Sequence, residues 1–146
     1  MHCNMPAVMI ISHAPLATAL QAVAAHVYAD CGHPVLALDV APTATPEAVQ
    51  AQARALMAGK AEADWLVLTD VFGATPCNAA LALADTPHVR VVSGVNVPML
   101  WRSLCYADES LDTLAARAVA GATQGVMPLV PTRPQNQNPR ALNRDP

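Results

Sequence analysis

Four short, almost unbroken apolar stretches punctuate the chain: MPAVMII at 5–11, PVLALDV at 34–40, WLVLT at 65–69 and VRVVS at 89–93. Each has the length of a strand, and each is nearly continuous in Val, Ile and Leu rather than alternating with polar residues. Strands of that kind are covered on both faces, as in a parallel sheet. Between them lie segments of helical length rich in Ala, Leu and Gln, at 14–29, 46–59 and 76–85. The alternation predicts βαβ units and an α/β fold with helices on both faces of the sheet.

Helix starts are marked by their chemistry. Thr45-Pro46-Glu47 offers a capping hydroxyl, a proline at the first helical position and an acid in the first turn. Thr75-Pro76 repeats the device. Asn96 is placed to cap a fourth helix running to about Cys105. Asp108 or Ser110 opens a fifth, with Leu111, Leu114, Ala115, Ala118, Val119 and Ala122 on one face and Gly121 or Gly125 at its end. GVMPLV, 125–130, has the composition of one more strand, placed at an edge by Pro128. Beyond it, proline and asparagine dominate and little remains to bury. The reading is therefore one domain over 1–130 and a disordered tail over 131–146.

Composition sharpens this picture. Of 146 residues, 53% are hydrophobic, 13% are charged and only five are aromatic. The core must be built from Ala, Val, Leu and Met, whose small side chains let helices lie close to a sheet. The net charge is −3 and the eight basic residues are scattered, which argues against nucleic acid as a partner. No apolar run approaches a membrane span, and the N-terminus lacks a basic leader, so a cytoplasmic protein without membrane insertion is expected. Cys3, Cys31, Cys77 and Cys105 form no close pair, and reduced, mostly buried thiols are expected.

The chemistry gathers where strands end. Ser12-His13 follows the first apolar run, Asp70 follows the third and leads into VFGATPCN, and Ser93-Gly94 follows the fourth and leads into VNVPM. In an open parallel sheet these loops share one edge, where ligands bind. His13 is the candidate nucleophile or base, and Asp70 suits a carboxylate that fixes its tautomer. The GATPCN loop opens a helix, so its backbone N–H groups and the Thr75 hydroxyl suit an anion such as a phosphoryl group. The residues alone leave open a plainer reading, a surface histidine beside an ordinary helix start.

VMIISHAPLATAL, LVLTDVFGATPCNAALALA and VVSGVNVPMLWRSL resemble, in order and spacing, the IIA components of the mannose family of the bacterial phosphoenolpyruvate:sugar phosphotransferase system. The resemblance runs from about residue 7 into the fifth helix. It implies a phosphotransferase with a phosphohistidine intermediate: His13 accepts a phosphoryl group from the phosphocarrier protein HPr and passes it to a IIB component. Asp70 would orient and support the imidazole, and Nε2 would carry the phosphoryl group. Gly73, Ala74 and Thr75 would hold it, without metal or other cofactor. Phe72, Val97 and Met99 are rim candidates for partner docking, with Val71 and Leu100. The resemblance also implies a three-layer α/β/α fold, a four-stranded parallel sheet of order 2-1-3-4, and a homodimer that exchanges a fifth edge strand, for which GVMPLV stands in the right place.

Two positions depart from the family pattern. Ala14 and Ala74 stand where glycine is usual, and each is expected to restrict the backbone near the phosphoryl site. Two other functions compete: a regulator that reports HPr phosphorylation without an associated permease, and a metal-dependent hydrolase using His13, Asp70 and Cys77. His2, His26, His33 and His88 have no partners at metal-ligand spacing and read as structural or solvent-facing.

Overall fold

Parallel pairing organises the chain in the computed structural model, which describes residues 5–27 and 34–131. Strands β1 (Ala7–His13), β2 (Val35–Val40), β3 (Trp65–Thr69) and β4 (Val89–Val92) form one parallel sheet in the order β2-β1-β3-β4. The helices are α1 (Leu16–Val27), α2 (Pro46–Met57), α3 (Thr75–Leu83), α4 (Val97–Cys105) and α5 (Leu111–Gly125), with a short 3-10 turn at Ala58–Lys60 after α2. The expected order 2-1-3-4 and the α/β architecture are both present.

The sheet separates two apolar layers, as strand alternation requires. On one face Val8, Ile10, Leu66 and Leu68 pack with Leu20 of α1, Leu100 and Leu104 of α4, and Leu114 and Ala118 of α5. On the other, Met9, Ile11 and Val67 pack with Val49 and Ala53 of α2 and with Ala79, Ala80 and Leu83 of α3. A sheet buried on both sides needs no polar alternation, which explains the continuous apolar runs. Alanine is frequent beside leucine at these helix contacts, and where it occurs it lets the backbone approach the sheet.

Caps place the helix starts where the sequence suggests, with one exception. Thr45 accepts the N–H of Ala48, Asn96 that of Met99, and Ser110 that of Thr113. Each such cap stabilises a helix by about 1 kcal/mol. The exception is α3. Its N-cap is Ala74, no side chain caps it, and Thr75 is already the first helical residue.

Other expectations are corrected by packing. His13 is the last residue of β1 rather than a loop residue beyond it, paired with Val40 of β2. Val119 is exposed and does not belong to the buried face of α5. Gly121 and Gly125 permit close packing on α4: a Cβ at Gly121 would lie 2.6 Å from Arg102 Cβ, and one at Gly125 would lie 2.4 Å from Pro98 Cβ and Cγ. Gly125 ends α5, and Gly121 lies within it. Of the described cysteines, Cys77 is buried and Cys105 is exposed. Among the described residues the 126–130 stretch pairs with no strand, and Val126, Met127, Leu129 and Val130 are exposed. Residues 132–146, Cys3, Cys31, His2 and His33 lie outside the described residues. Among the described residues no helix is long and apolar enough to cross a membrane.

Candidate functional site

The ends of β1 and β3 bring His13 and Asp70 together. These strands are neighbours in register, with Ile11 opposite Thr69, so the residues that follow emerge side by side at the carboxyl edge. One Asp70 oxygen, Oδ2, accepts the ring Nδ1–H of His13 at 2.7 Å and the backbone N–H of the same residue at 3.0 Å. The other, Oδ1, accepts the N–H of Val71 at 2.9 Å. A carboxylate is acceptor-only, so this arrangement places a hydrogen on Nδ1, and in the neutral tautomer Nε2 is then the nitrogen with the lone pair. The His13 side chain is 48% exposed and that of Asp70 is 15% exposed. The imidazole is therefore about half-exposed while the carboxylate it bonds is largely covered.

Burial alone pushes the Asp70 carboxyl upward. The hydrogen bond from the His13 backbone, those from the His13 ring and the Val71 N–H, and the imidazole charge outweigh it and hold the group below its ordinary value. Asp70 is thus a persistent anion, held by three donors.

From Asp70 the chain runs through Val71, Phe72 and Gly73 into α3. Gly73 has φ +90°, a conformation that favours glycine, and it turns the chain into the helix. Gly94, with φ +83°, does the same for the loop after β4. That loop is tied to the first by the N–H of Gly94 on the Asp70 carbonyl at 3.1 Å and the N–H of Val95 on the Thr69 carbonyl at 2.9 Å. Ala74 has φ −94° and ψ 171°, ordinary extended backbone, so alanine causes no conformational strain here. Ala14 likewise avoids positive φ. The expected restriction at the two alanines therefore does not act through forbidden backbone.

The remaining candidates divide. Thr75 is half-buried in the first turn of α3, and its hydroxyl has no hydrogen-bond partner among the described residues. Phe72 is 77% exposed beside Asp70, and Val71 is exposed too. Val97, the first residue of α4, is half-buried. Met99 and Leu100 are fully covered in the core, so neither side chain reaches the surface as a docking residue. Cys77 is buried in α3, and among the described residues no group of three or more His, Cys, Asp or Glu is placed to hold a metal ion. Among the described residues His13, Asp70 and Cys77 are therefore not gathered as the hydrolase alternative requires.

Two features escaped the sequence reading. Asp39, the polar residue in VLALDV, accepts from both the N–H and the hydroxyl of Thr18 in α1. His88 pairs with Asp64 at 2.8 Å at the opposite edge of the sheet. The lone acid in an apolar strand was the available signal for the first. The second had none, since Asp64 and His88 meet only through the β3–β4 pairing.

Comparisons with known proteins bear on the family and the fold. Over 67 residues the chain is 42% identical to the PTS system mannose-specific EIIAB component of Escherichia coli strain K12, a span of 44% of this chain and 21% of that protein. The Shigella flexneri protein of the same name matches equally. The chain thus corresponds to about a fifth of the length of these relatives. Among solved structures, the mannose/sorbose-specific IIA subunit from Enterococcus faecalis superposes with a TM-score of 0.80 at 24% identity, covering 90% of this chain and 99% of that one. The EIIA component from Streptococcus agalactiae gives 0.73 at 22%, covering 85% and 97%. At such identities these two establish a common fold. The family model described as PTS system fructose IIA component (EIIA-man) matches residues 7–119, and the chain belongs to that family.

Proposed function

We propose that this protein is a phosphocarrier that accepts a phosphoryl group on His13 Nε2 from phospho-HPr and passes it to a IIB component. The observation that carries this reading is the 2.7 Å bond from Nδ1 of the half-exposed His13 to Asp70, which supports Nε2 as the nucleophile. The chemistry asks little more of the chain. A phosphohistidine donor already carries a reactive P–N bond, so one P–N bond breaks as another forms and no metal is required. Catalysis then reduces to in-line placement of two imidazoles and support for a loose, charge-spread transition state.

Each residue has a part in that scheme. Asp70 holds the His13 ring and stabilises the positive charge that develops as Nε2 bonds to phosphorus. The start of α3, with the N–H groups of Ala74 and Thr75 and the Thr75 hydroxyl, provides donors for the phosphoryl oxygens, and Gly73 sets their direction. Phe72 and Val71 supply an exposed apolar rim against which HPr or a IIB component docks. A cytoplasmic setting follows from such partners. Incubation with phosphoenolpyruvate, enzyme I and HPr, followed by mapping of acid-labile phosphate, tests the assignment. Label on His13 is expected, and no label at all would sink it. Adding a IIB component then separates onward transfer from a purely regulatory end point.

Dimerisation through an exchanged strand belongs to the same proposal. Val126, Met127, Leu129 and Val130 are exposed, and among the described residues β4 leaves one edge of the sheet unpaired. An apolar segment and an open edge on every copy are complementary surfaces. Deleting residues from 125 onward should weaken the dimer, while deletion from 134 should leave it intact. A firm dimer of the shorter form in sedimentation rejects the exchange.

A further inference from the structure

His13 lies between two helix starts, and they are treated differently. In the first turn of α1 the amide of Thr18 is taken up by a carboxylate from another strand. Asp39 Oδ1 accepts the N–H of Thr18 at 3.1 Å, and Oδ2 accepts the Thr18 hydroxyl at 2.7 Å. The same hydroxyl lies 3.2 Å from the Pro15 carbonyl oxygen. The helical ladder of α1 begins one residue later, with the N–H of Ala19 on Pro15 at 3.1 Å, so the Thr18 amide would otherwise have no backbone partner. The first turn of α3, by contrast, receives no side-chain cap.

The register explains how Asp39 reaches this place. Ser12 is opposite Asp39 and His13 is opposite Val40, so the carboxylate arises on the strand beside His13, one position before it. The chain leaving His13 is held on both sides of Pro15: the N–H of Ala14 bonds the Val40 carbonyl at 3.0 Å, and Thr18 bonds Asp39. Both anchors belong to the end of β2.

We propose that Asp39 is a positioning residue for phosphoryl transfer, which holds the segment after His13 through Thr18 and keeps the Thr18 amide from the phosphoryl group. The proposal rests on the phosphocarrier reading above. A helix N-terminus attracts anions through its unpaired N–H groups and its dipole. Two such ends near one phosphohistidine would offer the phosphoryl group two resting places and two orientations, of which in-line transfer uses one. A fixed carboxylate at α1 takes up the Thr18 donor and repels the phosphoryl oxygens. The group is left to the uncapped start of α3.

The test is made on the full chain with phospho-HPr as donor, following transfer kinetics and the amide resonances before and after phosphorylation. In the unaltered protein the Thr75 amide should shift on phosphorylation and the Thr18 amide should not. Asp39→Ala should slow transfer about tenfold at saturating HPr, as misplacement of a reacting group does, with an unchanged KM for HPr. In that variant the Thr18 amide should now respond to phosphorylation. Asp39→Asn keeps an acceptor for Thr18 and should recover most of the rate. A Thr18 shift in the unaltered protein, or an Asp39→Ala rate equal to that of the unaltered chain, overturns the proposal. The first of these readouts stands even if Asp39→Ala fails to fold. Absence of label on the unaltered chain overturns instead the phosphocarrier reading on which the proposal rests, so the two failures are told apart.

Discussion

The same pair is built twice on this sheet. His13 and Asp70 meet at 2.7 Å at the carboxyl ends of the strands, and His88 and Asp64 meet at 2.8 Å at the amino ends, each through Nδ1. Both imidazoles are well exposed, at 48% and 69%. Distance and tautomer therefore do not separate them. Their surroundings do. Asp70 also takes the backbone N–H of His13 and leads into the start of α3, where amide dipoles favour an anion. His88 borders a cleft of about 400 Å³ lined by the far ends of α2 and α3, with Glu62 and Asp85 close by. Arg54 lines the cleft too, but it is held by the Ala82 carbonyl at 3.4 Å and lies 3.9 Å from Asp85, so carbonyl ends and carboxylates set the local polarity against a phosphoryl group. The two histidine–carboxylate pairs share their geometry; under the proposed function the helix polarity around each is what distinguishes them.

The largest expected contrast is between the two histidines. His13→Ala should lose all phosphoryl acceptance while remaining folded, because the side chain ends an edge of the sheet and is not in the core. His88→Ala should be labelled like the unaltered chain. Label that moves to His88 in the first variant would erase the distinction drawn here.

Next come the carboxylates. Asp70→Asn preserves shape but cannot balance a developing imidazolium, and transfer should fall by roughly 10²-fold or more. Asp64→Asn should change the rate by less than about twofold, since the exposed pair it disrupts is worth little. Comparable losses from the two substitutions would mean that both pairs act on the same reaction.

A smaller effect tests helix polarity directly. Ala74→Asp would supply the side-chain cap that α3 lacks. It should stabilise the helix by about 1 kcal/mol, raising the melting temperature, while slowing transfer about tenfold by occupying donors meant for the phosphoryl group. Faster transfer with the acid in place would contradict the assignment of α3 as the anion site.

The mildest effect concerns acid. The folded-state value of Asp70 is depressed, so its contribution to stability is complete above the ordinary carboxylate range and is lost as pH falls through the lower, folded value. Denaturant melts taken downward from about pH 5 should therefore show a loss that Asp70→Asn removes in part. If the two pH profiles run parallel, the hydrogen bonds to Asp70 hold no net advantage for its charged form.

Much of this molecule was legible from its residues because the determining forces are local. Continuous apolar runs specify strands covered on both faces, and WLVLT at 65–69 coincides with β3. Asn96 and Ser110 act as caps because a short polar side chain reaches its own first turn without help from the rest of the fold. His13 and Asp70 were recognisable as a pair only together with the motifs around them. The same local logic misplaced Thr75 as a cap, because Gly73 at positive φ turns the chain one residue earlier.

What the sequence could not determine depends on residues distant in the chain. Asp39 reads as one polar interruption in a strand until β1 and β2 pair in register and bring it to Thr18, 21 residues away. His88 and Asp64 become partners only through the β3–β4 pairing. Met99 and Val119 changed places between core and surface, because which side of a helix is buried depends on where its neighbours lie. Local propensity and apolar pattern are carried by adjacent residues, whereas an ion pair, a borrowed cap or a covered face exists only once the sheet has closed the distance.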